Sequence, residues 1–195
     1  MGYTHYWRRP KEIEAIVFKA IVDDFKQLLP TFAELNVPLA GPLGTGEPRI
    51  TYDSVDFNGS ENCGHEPTMQ LCIPWPTEDA GGLFAGDPVV GEWFAGSLVS
   101  TRACPGDCSY ESFNFPRVLT IGSWQEPNDR GLYFDCCKTA FRAYDLAVTA
   151  FLIIAKYHMG DSLRVTSDGE MQHWFDAVYL THIHLGYGLD FRLDE

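Results

Sequence analysis

Long apolar runs are missing from this chain. A membrane-spanning helix needs about 20 consecutive apolar residues, and no stretch of the sequence approaches that length. The amino-terminal MGYTHYWRR lacks the apolar segment of a secretory signal, and Tyr6 stands where N-myristoylation wants Ser or Thr. The expectation is a soluble, cytoplasmic protein with no membrane partner. Basic residues are scarce too, 14 Lys and Arg against 27 Asp and Glu, for a net charge of −13. That balance excludes general nucleic-acid binding, which needs a cationic surplus to neutralise phosphates. Also absent are a Walker loop, a dinucleotide fingerprint, a G-x-S-x-G elbow, an H-E-x-x-H pair and any internal repeat. No cofactor is expected. Six cysteines without a secretory signal are read as free thiols rather than a disulfide framework.

What is there fits one domain. At 195 residues, with 45% apolar and 21% charged side chains, the chain can bury a full core. Aromatic–polar alternation over 2–9 predicts a strand, and apolar spacing over 12–29 predicts a helix that Pro30 kinks or ends. Short strands are expected at 49–53, 55–57, 69–75, 98–102, 113–121 and 132–134, with Asn58-Gly59 as a hairpin turn. Residues 76–128 form an irregular insertion rich in Gly, Pro and aromatics. The last third predicts a helix over 139–158 closed by Gly160, a strand at 163–166, and a final helix over 170–185. Ser167-Asp168 would cap that final helix and Gly186 would close it. The fold class is α+β: a mostly antiparallel sheet with two or three helices packed on one face.

The segment Asp135–Asp145, DCCKTAFRAYD, concentrates the chemistry. Lys138 is the only lysine between Lys26 and Lys156. With Thr139 as N-cap, Lys138 and Arg142 would flank a helix start, whose free amides and dipole attract anions. The plainer reading makes Arg142, Asp145, Thr149 and Lys156 the solvent face of that helix, with an Arg142–Asp145 ion pair. Cys137, beside the same helix start, is a candidate nucleophile, and His5 a candidate acid or base. Cys63-Gly-His65 and Cys104-x3-Cys108 together make a Cys3His set suited to tetrahedral zinc. Independent free cysteines are the simpler reading, so no metal is expected.

Gly2-Tyr3-Thr4-His5-Tyr6-Trp7, Phe57-Asn58-Gly59, Cys137-Lys138-Thr139-Ala140 with Arg142 and Tyr144-Asp145, then Ser167-Asp168-Gly169 and Trp174, resemble a family of small bacterial and phage proteins without an established activity. The resemblance implies that these islands belong to one framework and supplies positions rather than a reaction. If they converge, His5, Trp7, Asn58, Lys138, Thr139, Arg142, Tyr144, Asp145 and Asp168 line one pocket. The leading expectation is therefore binding of a small anionic, nucleotide-like ligand at the Lys138/Arg142 helix start, in a phage or mobile-element setting. One alternative is an enzyme using Cys137 or His5. Another is a protein-interaction module that docks a partner through the 76–128 insertion.

Overall fold

The computed structural model describes residues 3–67, 69–71, 93–94, 97–98, 102–123 and 125–195. Strict alternation makes the first strand: β1 (Thr4–Arg9) buries His5, Trp7 and Arg9 and leaves Thr4, Tyr6 and Arg8 half-exposed. The helix α1 (Ala15–Glu34) buries Phe18, Ile21, Val22, Phe25, Leu28 and Phe32 along one stripe. It runs on past Pro30, which neither ends nor splits it. The proline ring stands on the exposed side, so it costs the helix a hydrogen bond without displacing a core residue.

Short strands β2 (Leu39–Ala40) and β3 (Arg49–Ile50) precede the longer β4 (Ser54–Gly59). Next come β5 (Met69–Leu71), β6 (Trp93–Phe94), β7 (Ser97–Leu98), β8 (Arg102–Cys104) and β9 (Phe113–Pro116). The chain closes with β10 (Tyr133–Lys138), α2 (Asp145–Met159), β11 (Arg164–Ser167) and α3 (Phe175–Leu185). All strand pairing among the described residues is antiparallel. One sheet has the order β10-β1-β11; in the second, β4 carries β2, β3 and β9; β5–β8 and β6–β7 are two-stranded ribbons. The fold is α+β with three α-helices among the described residues, none of them long and apolar enough to cross a membrane.

The two sheets and the helices share one aromatic core. Phe151 of α2 packs edge-on against Phe25, Phe113 and Phe115, with ring centroids 5.2, 5.1 and 5.0 Å away. α2 is buried on every side from Asp145 to Ala155 and packs against α1, α3 and β11. The expected solvent stripe is therefore corrected: Asp145 and Thr149 are fully buried, and Arg142 lies outside the helix.

Three local expectations are revised by backbone geometry. α2 starts at Asp145, six residues later than predicted, because Ala140 and Phe141 both adopt left-handed conformations (φ 50° and 56°). Two such residues in a row cannot continue a right-handed helix, and each stores strain. Asn58-Gly59 is not a turn; both residues lie in β4, paired to Ala40 and Leu39. Glycine is required there because a Cβ at Gly59 would sit 1.9 Å from the Cys108 carbonyl oxygen. The final helix opens as a 3-10 turn over Met171–Trp174 and is capped reciprocally by Glu170 and His173, not by Ser167-Asp168. Part of the aromatic 76–128 insertion, including Phe84 and Trp124, lies outside the described residues.

Candidate functional site

The nine ligand candidates separate into two groups and two isolated positions. His5, Thr139 and Asp145 meet in the interior. Asp145, the first residue of α2, directs its carboxylate back along the strained turn. It accepts from His5 Nε2 at 2.7 Å and from the Thr139 hydroxyl. Its other oxygen accepts from Arg102 Nε at 3.0 Å and lies 2.9 Å from Nη2 of the same guanidinium. Arg102 also reaches Thr149 and forms a close ion pair with Asp176. Burial works to raise the Asp145 pKa; the charges of His5 and Arg102 and the hydrogen bonds override it and hold the carboxyl at about 2. The helix start thus carries a carboxylate of the protein itself, and the expected Arg142–Asp145 pair is replaced by Arg102–Asp145.

His5 extends this centre outward. A carboxylate only accepts, so in the neutral imidazole Nε2 carries the proton and Nδ1 accepts, here from the Ser167 hydroxyl at 3.0 Å. The result is a continuous Ser167–His5–Asp145 chain of hydrogen bonds. The ring is fixed edge-on between Tyr3 and Trp174, with centroids 5.0 and 4.8 Å away. The Tyr3 hydroxyl is buried and has no hydrogen-bond partner, and burial first, then the Asp145 charge, pushes its pKa up.

Lys138, Arg142, Asn58 and Tyr144 gather instead around Tyr110, a residue inside the insertion. Asn58 holds the Tyr110 backbone from both sides, its Nδ2 donating to the Tyr110 carbonyl and its Oδ1 accepting the Tyr110 N–H, each at 3.0 Å. The Tyr144 hydroxyl donates to the Glu111 carbonyl at 2.7 Å, and the Lys138 backbone N–H donates to the Glu111 carboxylate at 2.7 Å. On this anchored segment Tyr110 is 43% exposed. Lys138 Nζ stands 5.6 Å and the Arg142 guanidinium carbon 5.9 Å from its centroid. Arg142 also donates to the Asp107 carbonyl at 2.8 Å.

The remaining candidates stand alone. Trp7 is a core residue, 1% exposed and packed on Phe113 and Phe115. Asp168 secures the end of β1, accepting from the Thr4 N–H and the Tyr6 hydroxyl. The Cys137 thiol is buried and directed at the Glu111 carbonyl, and burial pushes its pKa up, opposite to what a nucleophile needs.

The four residues Cys63, His65, Cys104 and Cys108 do meet. Their ligand atoms all lie within 4.8 Å of one another. Cys104 Sγ is 3.4 Å from Cys63 Sγ and 3.2 Å from Cys108 Sγ, and His65 Nδ1 is 3.2 Å from Cys108 Sγ. These separations are well beyond a disulfide bond of about 2.05 Å, and all five described cysteines are free. Burial, then the neighbouring sulfurs, pushes the Cys108 thiol up.

Sequence reasoning missed Arg102 and Tyr110, since neither has a periodic or motif context; their roles exist only after the chain returns to α2 and β10. No protein-family model matches this chain, no curated protein matches its sequence, and no solved structure matches its fold.

Proposed function

We propose that the protein binds a small anionic ligand bearing a flat group, as a nucleotide does, on the Lys138–Tyr110–Arg142 surface. The observation that carries this reading is the convergence of two cationic side chains on one exposed, backbone-clamped aromatic ring. The cations would bind the anion by charge-assisted hydrogen bonds and the ring would stack on the planar group. In a chain of net charge −13, two cations converging on one ring would attract a small anion while the acidic remainder repels extended polyanions. The ligand position therefore differs from a helix-start pocket, because the Asp145 carboxylate already stands at the start of α2.

The test is calorimetry with inorganic phosphate, pyrophosphate and nucleoside mono-, di- and triphosphates. Lys138→Ala and Arg142→Ala should each weaken binding on the order of 10-fold, and Tyr110→Ala should abolish the preference for nucleotides over pyrophosphate. If no anion binds the wild type, or the Lys138→Ala/Arg142→Ala double variant binds equally well, the proposal is wrong.

The Ser167–His5–Asp145 chain favours a second, catalytic reading. In it Ser167 Oγ attacks an electrophilic carbonyl or phosphoryl centre, its proton passes to His5 Nδ1, Asp145 holds the imidazolium, and the bond to the leaving group breaks as that group takes the proton from His5, leaving the acyl or phosphoryl group on Ser167. A fluorophosphonate probe should then label Ser167 in the wild type and not in His5→Gln. Absence of labelling in the wild type ends this reading.

A further inference from the structure

The Cys63–His65–Cys104–Cys108 cluster has the composition and geometry of a metal site. A tetrahedral zinc ion with Zn–S of about 2.3 Å and Zn–N of about 2.0 Å sets its ligand atoms about 3.5–3.8 Å apart along the edges. Three edges of 3.2–3.4 Å and the outer limit of 4.8 Å bracket that range. Movement of about half an ångström per side chain completes the tetrahedron.

Surrounding groups match the chemistry of a metal-held set. His65 Nε2 donates to the Asn36 carbonyl at 2.9 Å, which leaves Nδ1, the nitrogen facing the sulfurs, with a free lone pair. This is the outer hydrogen bond that orients a metal-bound histidine. The Gly106 N–H donates to Cys104 Sγ at 3.3 Å, and such a donor stabilises a thiolate. Gly106 takes φ +102°, a conformation that returns the chain so Cys104 and Cys108 present both sulfurs inward. Cys104 and Cys108 are fully buried and His65 is 6% exposed. Without a metal the three sulfurs and the imidazole have only one another and nearby backbone groups as partners; a bound cation would engage all four at once.

We propose that Cys63, His65, Cys104 and Cys108 hold one zinc ion in a closed Cys3His site. Thiolate-rich tetrahedral donation selects zinc over magnesium or calcium, and four protein ligands leave no open position for substrate, so the role is structural. The ion closes a 41-residue separation between Cys63 and Cys104 and fastens the end of β8 to the loop that follows β4. Cys104 lies two residues after Arg102, and Cys108 two residues before Tyr110. The metal therefore sets both the guanidinium on Asp145 and the ring between Lys138 and Arg142. The site stands independently of the ligand proposed for Tyr110.

The test starts with protein purified without chelator. A zinc-sensitive dye and a thiol reagent are used together while a mercurial or strong chelator is added. One zinc should be released per chain, together with three thiols that were slow to react beforehand. Cobalt(II) substituted for zinc should give the thiolate-to-metal charge-transfer and intense visible bands of a tetrahedral sulfur site. His65→Ala and Cys104→Ser should weaken metal binding at least on the order of 10-fold. Because these variants can also unfold, the wild-type thiol and cobalt measurements decide independently. A chain with no metal and no cobalt charge transfer, one holding iron instead, or one with Cys63, Cys104 or Cys108 in a disulfide overturns the proposal.

Discussion

Asp145 is the residue on which the interior turns. A fully buried carboxylate with a pKa held at about 2 against an ordinary 3.8 binds a proton less readily in the folded chain than in the unfolded one. Its contribution to stability is therefore complete above about pH 4 and is lost as pH falls through about 2, amounting to about 2 kcal/mol. Urea melts of wild type and Asp145→Asn over pH 2–6 should show this slope in the difference between the two proteins. At neutral pH the variant should lose about 3–5 kcal/mol, since Arg102 stays buried beside a neutral amide. Equal loss at every pH would remove the assignment of charge to Asp145. Arg9 poses the opposite case. Its guanidinium is wholly buried over Phe115, 4.6 Å from the ring centroid, with none of its nitrogens hydrogen-bonded, and burial draws its pKa down to about 10. Arg9→Met should raise stability by about 1–3 kcal/mol in the same melts; a loss instead would mean that the charge has an acceptor in solution.

Elements were legible where the pattern is local and periodic. Alternation located β1 and its faces, and apolar spacing located α1, because both patterns are written into consecutive side chains. The start of α2 was not legible: Thr139 is a good cap by type, but Ala140 and Phe141 are held left-handed by tertiary contacts, with both the Thr139 and Ala140 N–H groups donating to the Tyr3 carbonyl. Asn58-Gly59 misled for a similar reason, since its glycine answers a close approach by Cys108 rather than a turn. Pro30 shows that a helix anchored by six buried residues tolerates a missing amide. Pro30→Ala should therefore stabilise the protein by about 1–3 kcal/mol, read as a higher melting temperature with unchanged helical circular dichroism. A lower melting temperature would mean that the proline limits the unfolded chain more than it burdens α1.

At the scale of the whole molecule, the sequence displayed all four cysteine and histidine positions but not their meeting. Cys63-x-His65 and Cys104-x3-Cys108 are each weak as pairs; the sequence let them be combined into a Cys3His set, and the fold, by seating the residues after β4 against the end of β8, brings that set together. The candidate ligand positions were likewise visible, yet they resolve into a buried centre around Asp145 and a surface around Tyr110. Gly59→Ala, which drives a Cβ into the Cys108 backbone, should cost about 1–3 kcal/mol and lower zinc affinity in a chelator competition, linking strand packing to the metal. Unaltered zinc affinity would separate the two. Zinc K-edge X-ray absorption on protein purified without chelator reads the Cys3His site itself. One zinc per chain is expected, with three sulfur neighbours at about 2.3 Å and one nitrogen at about 2.0 Å; no zinc, or a coordination sphere of oxygen and nitrogen alone, rules the site out.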